Sequence, residues 1–297
     1  MQEEFSNGTS VGSYTIERLV GRGAMGVVYR ASNLGGSEFF AVKILSLHAM
    51  GNKLVQDLFV EEAQAGLQLD HTHIVKTIYF GEHEGRPYIV LEFINGFPLA
   101  DLIKKGPLPE SQCIWVMRQM GQALRYMQKK NILHQDVKPE NILIDATGTC
   151  KLSDMSFARL PGTRINWSVL QAGTSLYMPP EQWLAGKGGG PIDAHTDLYS
   201  LGASIYHAAT GDPPFKFHDE QDLRYQHLNV RPEAANVRIR GLSMEFAKIL
   251  AKLLEKNPRD RYTNAEELLH AMRALTVPQQ PPVVSVSRVV AHKSARK

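Results

Sequence analysis

The sequence is poor in cysteine. Cys113 and Cys150 are the only two in 297 residues, too few for a disulfide framework or a cysteine-ligated zinc site, and their scarcity points to a reducing compartment. No run reaches the roughly 18 consecutive apolar residues that a membrane-spanning helix requires. The opening MQEEFSNGTS has neither the basic region nor the apolar stretch of a secretory signal. These absences predict a cytoplasmic chain. Neither sign of charge is in excess: 33 Lys and Arg stand against 30 Asp and Glu, a formal net charge of +3. That is too slight to argue for a nucleic-acid partner. No period of about 20–50 residues recurs, which excludes a solenoid.

What is present divides the chain in two. YTIERLV, GVVYRAS and EFFAVKIL, between Tyr14 and Leu45, read as strands, with Gly35-Gly36 turning between the last two. In LVQDLFVEEAQAGLQL, apolar residues recur at three-to-four spacing and predict a helix that ends at His71-Thr72-His73. IVKTIYF and YIVLEF are two further strands around GEHEGRP. The first ninety residues therefore predict five strands and one helix. After Gly96 the pattern turns helical, with candidates at Glu110–Lys130 (led by Pro109), Asp197–Thr210, Ser243–Glu255 and Asn264–Leu275. Two short strands flank the DATG turn. The expectation is an α+β fold of two lobes. Residues 1–13 read as a flexible N-terminus, and the stretch from Pro278, with PQQPP and then scattered Arg and Lys, as a tail.

Four segments can carry chemistry. GRGAMGVVYR sets Gly21, Gly23 and Gly26 between two strands, where backbone N–H groups can approach phosphate oxygens. Three glycines in a hairpin are more often a plain turn. The strand after Gly26 argues against a dinucleotide fold, and the GK[ST] of a Walker A loop is absent. FFAVKIL places Lys43 in an apolar strand, where it must snorkel or find an anion, and Glu61 and Glu62 follow on the helix. KLSDMSF ends a strand at Asp154, which alone reads as a turn residue. HQDVKPEN, at 134–141, packs Asp136, Lys138 and Asn141 between two apolar stretches.

Taken together and in this order, these segments resemble a serine/threonine protein kinase of the bacterial eukaryote-like type, from about Tyr14 to Leu275. The resemblance implies a catalytic domain over 14–277, with an N-lobe at 14–92, a C-lobe at 93–277 and a tail at 278–297. It implies a bilobal fold with a five-stranded sheet and one helix in the N-lobe. ATP and Mg²⁺, with Mn²⁺ as an alternative, are the implied cofactors, and a protein bearing a Ser or Thr hydroxyl is the implied substrate. Val20, Gly21, Gly23, Gly26 and Val28 would form the glycine-rich loop region. Ala41, Leu91 and Leu143 would line the adenine site, and Glu92, Phe93 and Ile94 its hinge. Lys43 would hold phosphates, braced by Glu62. Asp136 would orient the acceptor hydroxyl beside Lys138, while Asn141 and Asp154 would bind the metal. Asp197 would brace the catalytic loop, Glu181 would pair with Arg261, and Thr174 would mark a Ser/Thr acceptor.

The sequence departs from that pattern at Gln135 and at Met155-Ser156, where kinases carry arginine and Phe-Gly. Met155 is expected to fill an apolar slot. Ser156 would resist a positive φ, at a cost on the order of 1 kcal/mol. Gly66 leaves little side chain four residues after Glu62. The alternative to an active kinase is a pseudokinase that keeps the fold as a binding module. Retention of Lys43, Glu62, Asp136, Lys138, Asn141 and Asp154 argues for the enzyme. A small-molecule kinase is a third reading, disfavoured by Thr174 and by the run to Arg261. The basic tail would precede a membrane helix only in a longer parent chain, and nothing in the sequence sets an oligomeric state.

Overall fold

Period-two alternation builds the N-terminal sheet. Val27, Tyr29 and Ala31 on one strand, Val42 and Ile44 on the next, and Tyr88 and Val90 on a third form one buried cluster, so a single sheet face is sealed. The structure, a computed structural model, describes residues 5–23, 25–33, 35–36, 38–158, 175–188 and 190–275. The strands are β1 (Ser10–Val11), β2 (Tyr14–Arg22), β3 (Gly26–Asn33), β4 (Phe39–Leu45), β5 (Thr77–His83) and β6 (Arg86–Glu92), in the order β1-β2-β3-β4-β6-β5. Every neighbouring pair is antiparallel.

The sheet has six strands where the sequence predicts five. The addition is β1, whose two residues pair as Ser10↔Thr15 and Val11↔Tyr14 and are too few to show a period. From Phe5 onward the N-terminal stretch, read as loose, is packed: the Phe5 ring meets Tyr29 edge-on at 6.3 Å, and Val11 is buried.

Two helices, not one, follow β4: a single turn, α1 (Leu47–Met50), and α2 (Lys53–Leu67). Asn52 caps α2 by accepting the Leu54 and Val55 N–H groups on its side-chain oxygen. Its buried face, Leu58, Phe59, Glu62, Ala63 and Gly66, lies against the open side of the sheet. A Cβ at Gly66 would sit 2.1 Å from Thr77 Oγ1, so glycine here is what lets α2 approach β5 closely.

The second lobe begins with β7 (Gly96–Pro98) and α3 (Leu99–Ile103), then α4 (Glu110–Lys129), β8 (Ile142–Asp145) and β9 (Cys150–Leu152). The three strands pair as β7-β8-β9. Helices α5 (Pro180–Trp183), α6 (Ala194–Thr210), α7 (Glu220–Asn229), α8 (Ala235–Arg238), α9 (Met244–Leu253) and α10 (Ala265–Ala271) complete it. Helix α6 is buried around nearly its whole girth, as an apolar helix in a core must be. It begins at Ala194 under an Asp193–Thr196 capping box and ends at Gly211, φ +79°. The α7 segment, EQDLRYQHLN, buries only Leu223 and His227, too little to leave an apolar stripe in the sequence. Among the described residues no helix is long and apolar enough to cross a membrane. Thr163 and Ser168, candidate phosphate acceptors in the segment between Asp154 and Glu181, lie with Thr174 and the tail from Pro278 outside the described residues.

Candidate active site

The unsealed face of the sheet is set by strand register. Val28 pairs with Lys43 and Ala41 with Leu91. Directly opposed residues share a face, as do residues two apart on one strand, so these four side chains stand together. Val28, Ala41 and Leu91 are half-buried, as is Leu143 on β8, while Val20 is 47% exposed.

The β2–β3 hairpin overhangs this face, with Gly23 N–H donating to the Gly26 carbonyl at 2.8 Å. Its glycines differ in cause. A Cβ at Gly26 would lie 2.3 Å from the Ile44 carbonyl oxygen, so packing demands glycine there. A Cβ at Gly21 would meet nothing within 4 Å, and one at Gly23 only a carbonyl oxygen at 3.7 Å. Packing does not require glycine at either, and without a Cβ both backbones stay open to close approach.

Lys43 is buried and saturated. Its Nζ donates to Glu62 Oε1 at 2.7 Å and Oε2 at 2.8 Å, to Asp154 Oδ1 at 3.0 Å and to Ser156 Oγ at 2.9 Å. Burial pulls the Lys43 pKa down, but the Asp154 and Glu62 carboxylates outweigh it and hold the ammonium above its ordinary value. For Asp154, burial pushes the carboxyl up, and the Lys43 charge with the Ser156 hydroxyl more than reverses that, leaving it well below the usual carboxylate range. The pair is therefore ionised, lysine positive and aspartate negative.

The segment 134–141 is pinned from beneath. Asp197 on α6 accepts the His134 N–H at 2.8 Å and the Gln135 N–H at 2.6 Å. Gln182 donates its side-chain amide to the Gln135 carbonyl at 3.0 Å. These bonds hold Gln135 at φ +65°, a left-handed conformation costing about 1–3 kcal/mol that persists only where surroundings impose it. His134 Nδ1 accepts the Asp136 N–H at 3.2 Å, so its proton sits on Nε2 and is donated to the Ser153 carbonyl at 3.1 Å. Burial pushes that imidazole down to about 4, and it is neutral.

Asp136 pairs with Lys138 at 2.8 Å and accepts the Asn141 amide N–H at 3.0 Å. Burial pushes its carboxyl up to about 6, against the Lys138 charge. The Asn141 amide nitrogen also donates to the Asp136 carbonyl at 2.9 Å, which fixes the amide and leaves its oxygen as an acceptor. The Asp154 carboxylate and the Asn141 amide each offer a hard oxygen donor. No cluster of three or more His, Cys, Asp or Glu stands ready for a metal among the described residues. Two oxygens fit Mg²⁺, which keeps waters and takes phosphate oxygens rather than an all-protein cage.

A family model described as a protein kinase domain matches residues 14–272. The chain belongs to the protein kinase family. This kinase domain is 34% identical over 262 residues to the serine/threonine-protein kinase PknB of Mycobacterium leprae, covering 86% of this chain and 42% of that one. It is 32% identical over 281 residues to PknJ of Mycobacterium bovis, covering 92% of this chain and 47% of that one. The kinase domain of PknI from Mycobacterium tuberculosis superposes with a TM-score of 0.69 over 91% of this chain and 98% of its own, at 23% identity. That likeness bears on the fold alone. The chain spans under half the length of these curated relatives.

Seen as a kinase domain, the chain brings Lys43, Glu62 and Asp154 into one cluster, and Asp136, Lys138 and Asn141 into another. The Glu92 side chain accepts the Lys76 N–H and the Lys151 ammonium, both at 2.7 Å, tying β6 to β9. Phe93 and Ile94 follow in the crossing to β7. The strain expected at Ser156 falls elsewhere. Among the described residues the non-glycine positive φ values are at Glu84, Asn131, Gln135 and Asp154, the last at +63°. Met155 is buried in the C-lobe core. Sequence reasoning missed Gln182, the Thr77 contact that explains Gly66, and the hydroxyl of Ser156 inside the lysine cluster. The neighbouring motifs marked the first and last positions without revealing these contacts.

Proposed function

We propose that this chain is an active ATP:protein serine/threonine phosphotransferase working in the cytoplasm on a protein Ser or Thr hydroxyl. The observation that carries the reading is the Lys43 ammonium held within 3.0 Å of both Glu62 and Asp154. This geometry presents one cation and one hard oxygen ligand to the same space. Phosphoryl transfer asks for positioning and charge neutralisation rather than covalent help. Mg²⁺ bound by Asp154 and Asn141, with Mn²⁺ as a substitute, would neutralise phosphate charge. Lys43 would hold the phosphates under the open backbone of Gly21 and Gly23, with Val28, Ala41, Leu91 and Leu143 as apolar walls. Asp136 would orient the acceptor hydroxyl and take its proton, and Lys138 would balance charge on the moving group.

Gln135 sharpens the proposal. Where an arginine precedes the catalytic aspartate, a phosphorylated loop residue can pair with it and order the segment. Gln135 is neutral and can form no such ion pair, so the catalytic loop is read as working without loop phosphorylation. Phosphatase-treated protein should show initial rates without a lag on a generic basic protein. A Thr163→Ala/Ser168→Ala double variant should keep turnover within about tenfold of wild type. A long lag abolished by autophosphorylation, or a hundredfold loss in the double variant, contradicts this. Nucleotide binding without any transfer would favour the pseudokinase.

A further inference from the structure

Three N–H bonds of Lys43 face four acceptor atoms. Glu62 Oε1 and Oε2, Asp154 Oδ1 and Ser156 Oγ all lie between 2.7 and 3.0 Å from Nζ. An ammonium has three protons to give, so the cluster needs another donor. Ser156 supplies it. Its hydroxyl lies 2.8 Å from Glu62 Oε2 and also within hydrogen-bonding reach of Asp154 Oδ1, and its side chain is buried. One O–H can thus serve either carboxylate while its oxygen accepts from the lysine.

We propose that Ser156 is a positioning residue: its hydroxyl couples the metal-facing carboxylate of Asp154 to Glu62, so that the seat of helix α2 and the orientation of Asp154 are set together. This rests on the phosphotransfer reading of the same site. Glycine at this position would leave the two carboxylates joined only through Lys43, the very group that the proposed function directs to phosphate. With serine, Glu62 and Asp154 keep a shared donor when the lysine is engaged. The coupling reaches α2 because Glu62 is buried on its inner face, one turn before Gly66, where the helix backbone meets Thr77.

A space-filling role for Ser156 predicts something different, and Ser156→Ala separates the two. That variant keeps the Cβ and removes only the hydroxyl; Ser156→Gly serves as a second variant that also frees the backbone. Amide hydrogen exchange across α2, measured without nucleotide, should quicken about tenfold near Glu62 in both variants, the scale of one charge-assisted hydrogen bond. Calorimetry with ATP, with and without Mg²⁺, should show the metal-dependent gain in affinity reduced about tenfold, with metal-free affinity within twofold of wild type, as expected for a change confined to Asp154. In steady state the KM for ATP measured at saturating Mg²⁺ should rise by about the same tenfold factor, and kcat should fall with it. Unchanged exchange together with an unchanged metal-dependent gain overturns the coupling, even if the wild type is a fully active kinase. A wild type that transfers nothing, with exchange still quickened in Ser156→Ala, overturns the kinase reading and leaves the coupling standing.

Discussion

Two buried ion pairs in this molecule are built from the same kinds of groups and do opposite things. Glu181 and Arg261 meet in a two-pronged pair at 2.8 and 2.9 Å, and their side chains are 1% and 0% exposed. Arg261 gives its remaining N–H groups to the Glu255, His195 and Lys256 carbonyls and lies 4.7 Å over the Tyr199 ring. Every donor has an acceptor, and the unit is closed. Lys43 and Glu62 are as close, yet Asp154 beside them has a side chain 38% exposed, and the cluster holds more acceptors than the lysine can satisfy. A buried charge pair with matched partners is a structural clasp. One with an open, crowded edge is poised to rearrange around something else.

That contrast predicts separable losses. Asp136→Asn should lower turnover by about 10²–10⁴, the scale of a positioned acid–base group, with ATP binding nearly intact. Asp154→Asn should abolish transfer and weaken Mg²⁺-dependent nucleotide binding, while thermal denaturation moves by less than about 1 kcal/mol because the carboxylate is partly solvated. Calorimetry beside a melting curve checks both. Unchanged metal dependence in Asp154→Asn would remove it as a ligand.

The sealed pair should behave the other way. Removing Glu181 or Arg261 alone should cost about 3–5 kcal/mol of stability, because an unpaired charge stays buried. Removing both should cost less than the two single losses added. Strict additivity in a urea denaturation cycle would mean that the two do not interact.

A smaller effect tests how α2 is seated. Gly66→Ala should cost about 1–3 kcal/mol through overpacking against Thr77. Thr77→Ala in the same chain should recover part of that loss. Equal stability of Gly66→Ala and wild type would show that the approach is looser than 2.1 Å implies.

The smallest concerns His227, which accepts or donates at 2.9 Å to Tyr199 OH beneath Arg261. Burial, and then the Lys256 charge, push its pKa down to about 3. Above pH 6.5 both folded and unfolded chains hold it neutral. Between there and about 3 only the unfolded chain takes the proton, so stability falls as pH falls. The stability advantage of wild type over His227→Asn should therefore be about 1.4 kcal/mol smaller at pH 5.5 than at pH 8. A pH-independent difference would mean that the folded His227 takes up its proton as readily as the unfolded one.

Much of this was legible in the sequence where chemistry demands particular residues at particular spacings. Lys43 in an apolar strand, Asp136, Lys138 and Asn141 within eight residues, and the α+β division all carry strong local signals. What stayed hidden depends on contacts between distant segments. Two-residue β1 and the polar helix α7 have no periodicity to read. Gly66 looked like a missing side chain until Thr77 was found in the space. Ser156 looked like a strained glycine replacement, whereas the positive φ lies at Asp154 and the serine hydroxyl joins a cluster assembled from three segments.

The most direct measurement is transfer itself. Purified wild type and Asp136→Asn, both freed of phosphate, are incubated with labelled ATP, Mg²⁺ and a basic protein substrate, and the modified residues are mapped by mass spectrometry. The account predicts label on Ser or Thr with the wild type and at least about a hundredfold less with Asp136→Asn. Equal incorporation by the two proteins, or none with either, would contradict it.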